Sequence, residues 1–144
     1  MIRGATRADA EAIAQIHTRA WRHNYDGIVD AAQLDSLDVE LRTQQWIEWL
    51  DNPEVTTLVE EVDGRPAGFA AIEVDMLRAL YVDPPAQGAG AGSRLLAAAQ
   101  DAGACKLDVF SANGHARGFY EGRGWRDAGD AGEHRGLPVR RYVR

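Results

Sequence analysis

The stretch VDPPAQGAGAGSRLL, from Val82 to Leu96, constrains this chain more than any other. Gly88, Gly90 and Gly92 occupy every second position between a β-rich run and an alanine- and leucine-rich run. Glycine at that density costs conformational entropy relative to alanine, and what it permits is close approach of the backbone to something else. A glycine loop that leaves a strand and enters a helix bares main-chain N–H groups at the positive end of the helix dipole. Such a loop suits a phosphate or diphosphate and does not require a lysine.

Two common phosphate loops do not fit. The P-loop of nucleoside triphosphatases ends Gly-Lys-Ser/Thr, whereas Gly92 is followed by Ser93 and Arg94. A dinucleotide fingerprint, G-x-G-x-x-G, needs its third glycine at Ser93 counted from Gly88, or at Leu95 counted from Gly90. Asp108 does stand 20 residues after Gly88, where a ribose-binding acid belongs. However, Pro84 and Pro85 separate strand from loop, and the 34 residues after Phe110 are too few for the remaining parallel strands.

The pattern on either side places the loop in a mixed sheet. Ile2-Arg3 ends a first strand, and Thr6-Arg7-Ala8-Asp9 is a capping-box-like start to a helix carrying Ile13, Ile16, Ala20 and Trp21 on one face. Asp30 and Asp38 can each cap a second helical stretch, in which Trp46, Trp49 and Leu50 share a core face before Asn52-Pro53 stops it. Thr56–Val62 and Ala67–Val74 read as a hairpin around Asp63-Gly64-Arg65-Pro66, and Met76–Val82 as the next strand. A helix over Ser93–Ala102, a strand over Lys106–Phe110, a short helix over Ala116–Glu121 and strands at Trp125–Asp127 and Val139–Val143 complete the chain. The order β-α-α-β-β-β-α-β-α-β-β predicts one α/β (α+β) domain over 1–144, a mixed sheet with helices on its faces.

Composition removes several classes of function. The formal net charge of −6 argues against a nucleic-acid partner. No apolar run reaches the ~20 residues of a membrane span, and no apolar signal core follows Met1, so no membrane and a cytoplasmic location are expected. The single cysteine, Cys105, fits a reducing compartment and reads as an inert core thiol. His17 reads as a helix-face residue, His115 and His134 as exposed, and four scattered histidines with one cysteine make no metal site. Residues 26–63 hold many acids and a single formal cation, Arg42, which mildly favours a cationic small molecule as partner.

The segment Gln87-Gly88-Ala89-Gly90-Ala91-Gly92 also satisfies a third pattern, Gln/Arg-x-x-Gly-x-Gly/Ala. At this point the sequence resembles the GNAT superfamily of acetyl-CoA-dependent N-acyltransferases. The resemblance continues into NGHARGFYEGRGW, where Asn113, Ala116, Phe119, Tyr120, Glu121, Gly124 and Trp125 match a second family element. Two such patterns in order, separated by one helix and one strand, are specific; they span residues 76–127.

The resemblance implies a GNAT fold of about six to seven strands, with a V-shaped splay between strands 4 and 5. It implies acetyl-CoA as cosubstrate and no metal. The amides of Gly88, Ala89, Gly90, Ala91, Gly92 and Ser93, with Gln87, would take the diphosphate. Leu80, Tyr81 and Val82 would pair with the pantetheine arm as an added strand, and Asn113 would hold it from the far side or cap a helix.

Direct acetyl transfer to a primary amine poses two proton problems. Presenting a neutral alkylamine at pH 7 costs roughly 4–5 kcal/mol, and the departing thiolate needs a proton. A phenol is protonated at pH 7 and can donate it, and Tyr120 occupies the family's position for that acid. The base is less legible, because the position expected to carry an acid aligns with Met76. Asp75 is adjacent but alternation points it to the opposite face, Glu73 could reach only from the neighbouring strand, and a water relay serves equally. His23, Tyr25 and Asp26 belong to the segment that lines the acceptor pocket in relatives. The acceptor is then an amine of a small molecule or a protein, and the chain a monomer or homodimer. A non-catalytic coenzyme A-binding module is the competing expectation, and transfer to a hydroxyl a third.

Overall fold

The computed structural model describes residues 1–30, 32 and 38–144, and its strands form one seven-stranded sheet. The strands are β1 (Ile2–Gly4), β2 (Val55–Val62), β3 (Arg65–Glu73), β4 (Met76–Val82), β5 (Lys106–Phe110), β6 (Arg126–His134) and β7 (Leu137–Val143). The helices are α1 (Ala10–Tyr25), α2 (Val39–Asp51), α3 (Ala91–Asp101) and α4 (Gly114–Glu121). In space the strands run β1-β2-β3-β4-β5-β7-β6. Every neighbouring pair is antiparallel except β4 and β5. This is the expected α+β architecture.

The run Ala67 to Ile72 is apolar at nearly every position because β3 is covered on both faces. Phe69 and Ala71 pack with Ile13, Ile16 and Trp46 from α1 and α2, whereas Ala70 and Ile72 pack with Leu95, Leu96 and Ala99 of α3. Burying each such leucine or isoleucine contributes about 1.5–3 kcal/mol. Gly68 sits where a side chain cannot: a Cβ there would lie 2.9 Å from the Tyr81 carbonyl oxygen and 3.0 Å from Leu95. Any larger residue would push β4 away from β3.

Asp38 caps α2 as expected, accepting from the N–H groups of Glu40 and Leu41. Asp30 accepts from the Ala32 N–H at 3.0 Å, and the helical stretch expected after it lies largely outside the described residues. The first hairpin turns on Asp63 and Gly64, both at positive φ, so it is tighter than the expected four-residue turn. The final hairpin corrects the reading more. β6 extends from Arg126 to His134 rather than stopping at Asp127, because two bulges absorb Gly129 and Gly132 at positive φ.

The feature that positions a site is the junction of β4 and β5. They pair only at Met76↔Lys106 and Leu77↔Leu107 and then diverge, which is the expected splay. The remainder of each strand is held from its other side alone, β4 by β3 and β5 by β7.

Candidate functional site

The divergence opens a cleft of about 790 Å³, walled by β4, β5, α1, α4 and the β6–β7 hairpin. The glycine loop lies beyond the end of β4. Gly88 and Gly90 have φ of 88° and 85°, so each occupies backbone that an L-residue rarely adopts. Gly90 is the N-cap of α3, and the first bond into that helix runs from the Arg94 N–H to the Gly90 carbonyl. Among the described residues, the N–H groups from Gly88 to Ser93 therefore have no main-chain acceptor. Gln87 closes the loop by donating to the Val82 carbonyl at 3.2 Å.

Two arginines brace this loop, and neither was singled out from sequence. Arg94 donates to the buried Glu60 at 2.7 Å and to the Ala89 carbonyl at 3.0 Å, tying the loop and α3 to β2. Arg123 stacks on Phe119, 3.9 Å from the ring centroid, and donates to the Ser93 hydroxyl at 2.8 Å. A cation thus stands beside the exposed amides, a further attraction for phosphate.

On the far wall, Asn113 is the N-cap of α4, its Oδ1 accepting from the Ala116 N–H at 3.1 Å. Its side-chain nitrogen has no hydrogen-bond partner among the described residues, and the residue lines the cleft. Tyr120, also on α4, lines the cleft between Phe119 and Trp125, with ring centroids at 5.2 and 5.9 Å. Its hydroxyl has no hydrogen-bond partner among the described residues. Burial pushes that phenol above its ordinary value, with a smaller push from Tyr81, so at neutral pH it holds its proton.

Leu80 and Tyr81 line the cleft, whereas Val82 packs into the core beside Gly92. Tyr81 accepts from Trp21 Nε1 at 3.0 Å and lies 3.4 Å, hydroxyl to hydroxyl, from Tyr25. Burial raises both phenols. His23 and Tyr25 line the cleft as expected; Asp26 is exposed, in a bridge with Val29, and does not. Trp46 and Trp49 do belong to the core, yet they also face the cleft.

Glu73 and Asp75 do not line the cleft. Glu73 pairs with Arg78 at 2.9 Å and Asp75 with Lys106 at 3.2 Å, at the closed end of the splay. Met76 holds the cleft wall there. The carboxylates that do line the cleft are Asp108, ion-paired to Arg141, and Glu133, which has no salt-bridge partner among the described residues. Glycines obscured β6 in the sequence, and Glu133 with it.

His17 is a half-buried cleft residue rather than a simple helix-face one. Its ring stacks on Tyr81 at 5.0 Å, accepts from Trp46 Nε1 at 3.2 Å and meets Arg42 Nη1 at 2.9 Å. Burial first, then Arg42 and Arg135, lower its pKa to about 3, so it is neutral. The described residues contain no cluster of metal-ligating side chains, and none of their helices is long and apolar enough to cross a membrane.

The family model of an acetyltransferase (GNAT) domain matches residues 23–143. No curated protein matches the sequence. Among solved structures, the chain is similar to PaiA N-acetyltransferase from Thermoplasma acidophilum in complex with coenzyme A. That match has 18% identity and a TM-score of 0.80, and covers 100% of this chain and 98% of the other. It is similar to apo YjaB from Escherichia coli at 22% identity and TM-score 0.77, covering 99% and 95%. It is also similar to yncA, a putative acetyltransferase from Salmonella typhimurium with its cofactor acetyl-CoA, at 23% identity and TM-score 0.71, covering 99% and 91%.

Proposed function

The chain belongs to the GNAT acetyltransferase family, and from that premise we propose that it is a cytoplasmic enzyme moving the acetyl group of acetyl-CoA directly to a primary amine. The observation that carries this reading is the continuity of the site. Amides from Gly88 to Ser93 and the Tyr120 hydroxyl, none of which has a hydrogen-bond acceptor among the described residues, lie at the loop and in the cleft it leads into. Acetyl-CoA, when bound, supplies an activated acyl thioester.

The residues divide the work. Gly88 to Ser93, with Gln87 bracing the loop and Arg123 beside it, would hold the diphosphate through main-chain N–H groups and one cation. The inner edge of β4 at Leu80, Tyr81 and Val82 would pair with the two amides of the pantetheine arm, and the Asn113 amide nitrogen would meet that arm across the splay. A main-chain N–H near Val82 would stabilise the developing oxyanion. The acceptor nitrogen forms its bond to the acetyl carbon as the carbon–sulfur bond breaks, and Tyr120 gives its proton to the sulfur. The proton lost by the amine leaves through cleft water, with Glu133 the carboxylate there that is free to take it. Glu73 and Asp75, held in ion pairs outside the cleft, are not used.

Turnover of acetyl-CoA over a panel of small amines and amino-bearing peptides, read as thiol release, tests this. Release that depends on the amine is expected. Binding of acetyl-CoA with no acetylated product from any member would instead make the protein a coenzyme A-binding module.

A further inference from the structure

Arg42 is the least expected residue in the cleft. It is 9% exposed, and among the described residues no carboxylate lies within salt-bridge distance of it. A buried guanidinium is ordinarily paired, because desolvating a charge without a partner costs several kcal/mol. Here Nη1 is spent on His17, while Nε and Nη2 make no hydrogen bond among the described residues. Those two nitrogens form the edge that grips a carboxylate side-on through two parallel bonds.

A second guanidinium converges on the same place. Arg135, exposed at the tip of the β6–β7 hairpin, lies 4.8 Å from the centroid of the Trp21 ring, and Arg42 lies 5.7 Å from it. Arg135 too has no carboxylate partner among the described residues and also lines the cleft. The two cations repel one another, and each lowers the pKa of His17. Charged and titratable groups facing them include neutral His17, His134, Tyr25, Tyr81 and the carboxylate of Glu133, which lies within salt-bridge distance of neither. Asp108 is already tied to Arg141. The acidic composition of residues 26–63 therefore does not describe this end of the cleft, since the stretch's single cation, Arg42, is the residue that lines it.

We propose that Arg42 and Arg135 clamp a carboxylate at the acceptor end of the cleft, so that the amine acetylated is that of a small amino-carboxylate and not of a polycation. The proposal rests on the acetyltransferase reading above. An anion seated between the guanidinium groups relieves their repulsion and satisfies Nε and Nη2 of Arg42. The aromatic walls of Trp21, Tyr25, Trp49 and Phe110 suit an apolar body. A polyamine would place further positive charge against two uncompensated cations.

The test is a set of matched acceptors assayed by thiol release: methionine and phenylalanine, their carboxamides, and the amines left by removing the carboxylate. The amino acids should exceed both analogues in kcat/KM by about tenfold or more, and Arg135→Gln and Arg42→Gln should each shrink that ratio about tenfold. Arg135 is exposed on a turn, so its variant keeps the test valid should Arg42→Gln fail to fold. Equal or better turnover of the uncharged analogues, or acetylation of polyamines or protein amino groups alone, overturns the clamp and leaves the acetyltransferase reading intact. If no acceptor reacts, that reading has failed, and the clamp is judged by calorimetry with N-acetylmethionine. Binding to the wild type that is lost in Arg135→Gln upholds it; no binding to the wild type overturns it.

Discussion

At the scale of single residues, the cleft separates groups that must carry protons from groups that must not. The Tyr120 hydroxyl has no hydrogen-bond partner among the described residues, burial keeps it protonated, and the proposed mechanism gives its proton to the departing sulfur. Tyr120→Phe should lower kcat about 10–100-fold with KM for acetyl-CoA little changed, measured by steady-state thiol release. Because the phenol is raised above its ordinary value of about 10, wild-type kcat should show no loss of this acid below that pH. His17 gives a stability signature of the opposite sense. Its folded pKa of about 3 is depressed from 6.5, so the unfolded chain binds the proton first. The stability it confers is complete above pH 6.5 and declines by about 1.4 kcal/mol per unit as pH falls toward 3. Urea midpoints at pH 7, 6 and 5 should fall in the wild type, and His17→Gln should flatten that slope. Tyr120 and Asn113 were legible in the sequence because each belongs to a short local motif. His17, Arg42 and Arg135 were not, since they meet only after three distant segments pack around Trp21. The place of Glu73 and Asp75 outside the cleft was not legible either, because strand alternation gives a residue's face but not which end of the splay it stands at.

At the scale of elements, the loop between β4 and α3 would, on the proposed reading, bind the diphosphate through its conformation rather than through side chains. Gly90→Glu forces an L-residue to φ near 85° and sets a carboxylate among the bare amides. Coenzyme A affinity by calorimetry should fall at least about tenfold, while the strain should cost the fold only about 1–2 kcal/mol. Unchanged affinity would remove the loop from the diphosphate site. Elements were legible wherever periodicity and breakers agreed: β4 and β5 were read at their observed limits, and α3 within two residues. β6 was underread because Gly129 and Gly132 look like breakers in one dimension. In the sheet they sit at bulges, and the bulged strand continues to Glu133 and His134. No alternating pattern survives such an insertion, so the far wall of the cleft was hidden.

At the scale of the whole molecule, the sheet is joined across its middle by a short ladder. β1 to β4 form one flank and β5, β7 and β6 the other; the β4–β5 ladder pairs them at two positions, and side chains do the rest, Leu107, Trp125 and Tyr142 packing with Leu95, Leu96 and Ala99, and Trp21 with Phe110 and Val139. A ligand that bridges the gap should therefore stabilise the whole fold. Coenzyme A at about one hundred times its Kd should add about 2.7 kcal/mol, raising Tm by roughly 5–10 °C in differential scanning fluorimetry. That the sheet would split here was legible from the two motifs that flank the gap. What fills its acceptor end was not, because net charge averages over surfaces that never face one another.

The brevity of that ladder has a further cost. From Arg78 onward on β4, and from Asp108 onward on β5, each strand turns a row of main-chain donors and acceptors toward the other without reaching it. Those rows are, in effect, interior selvedges: borders of woven fabric left open in the middle of the cloth. An extended chain of the right length could be stitched into them, and on the proposed reading the pantetheine arm of acetyl-CoA would be that thread.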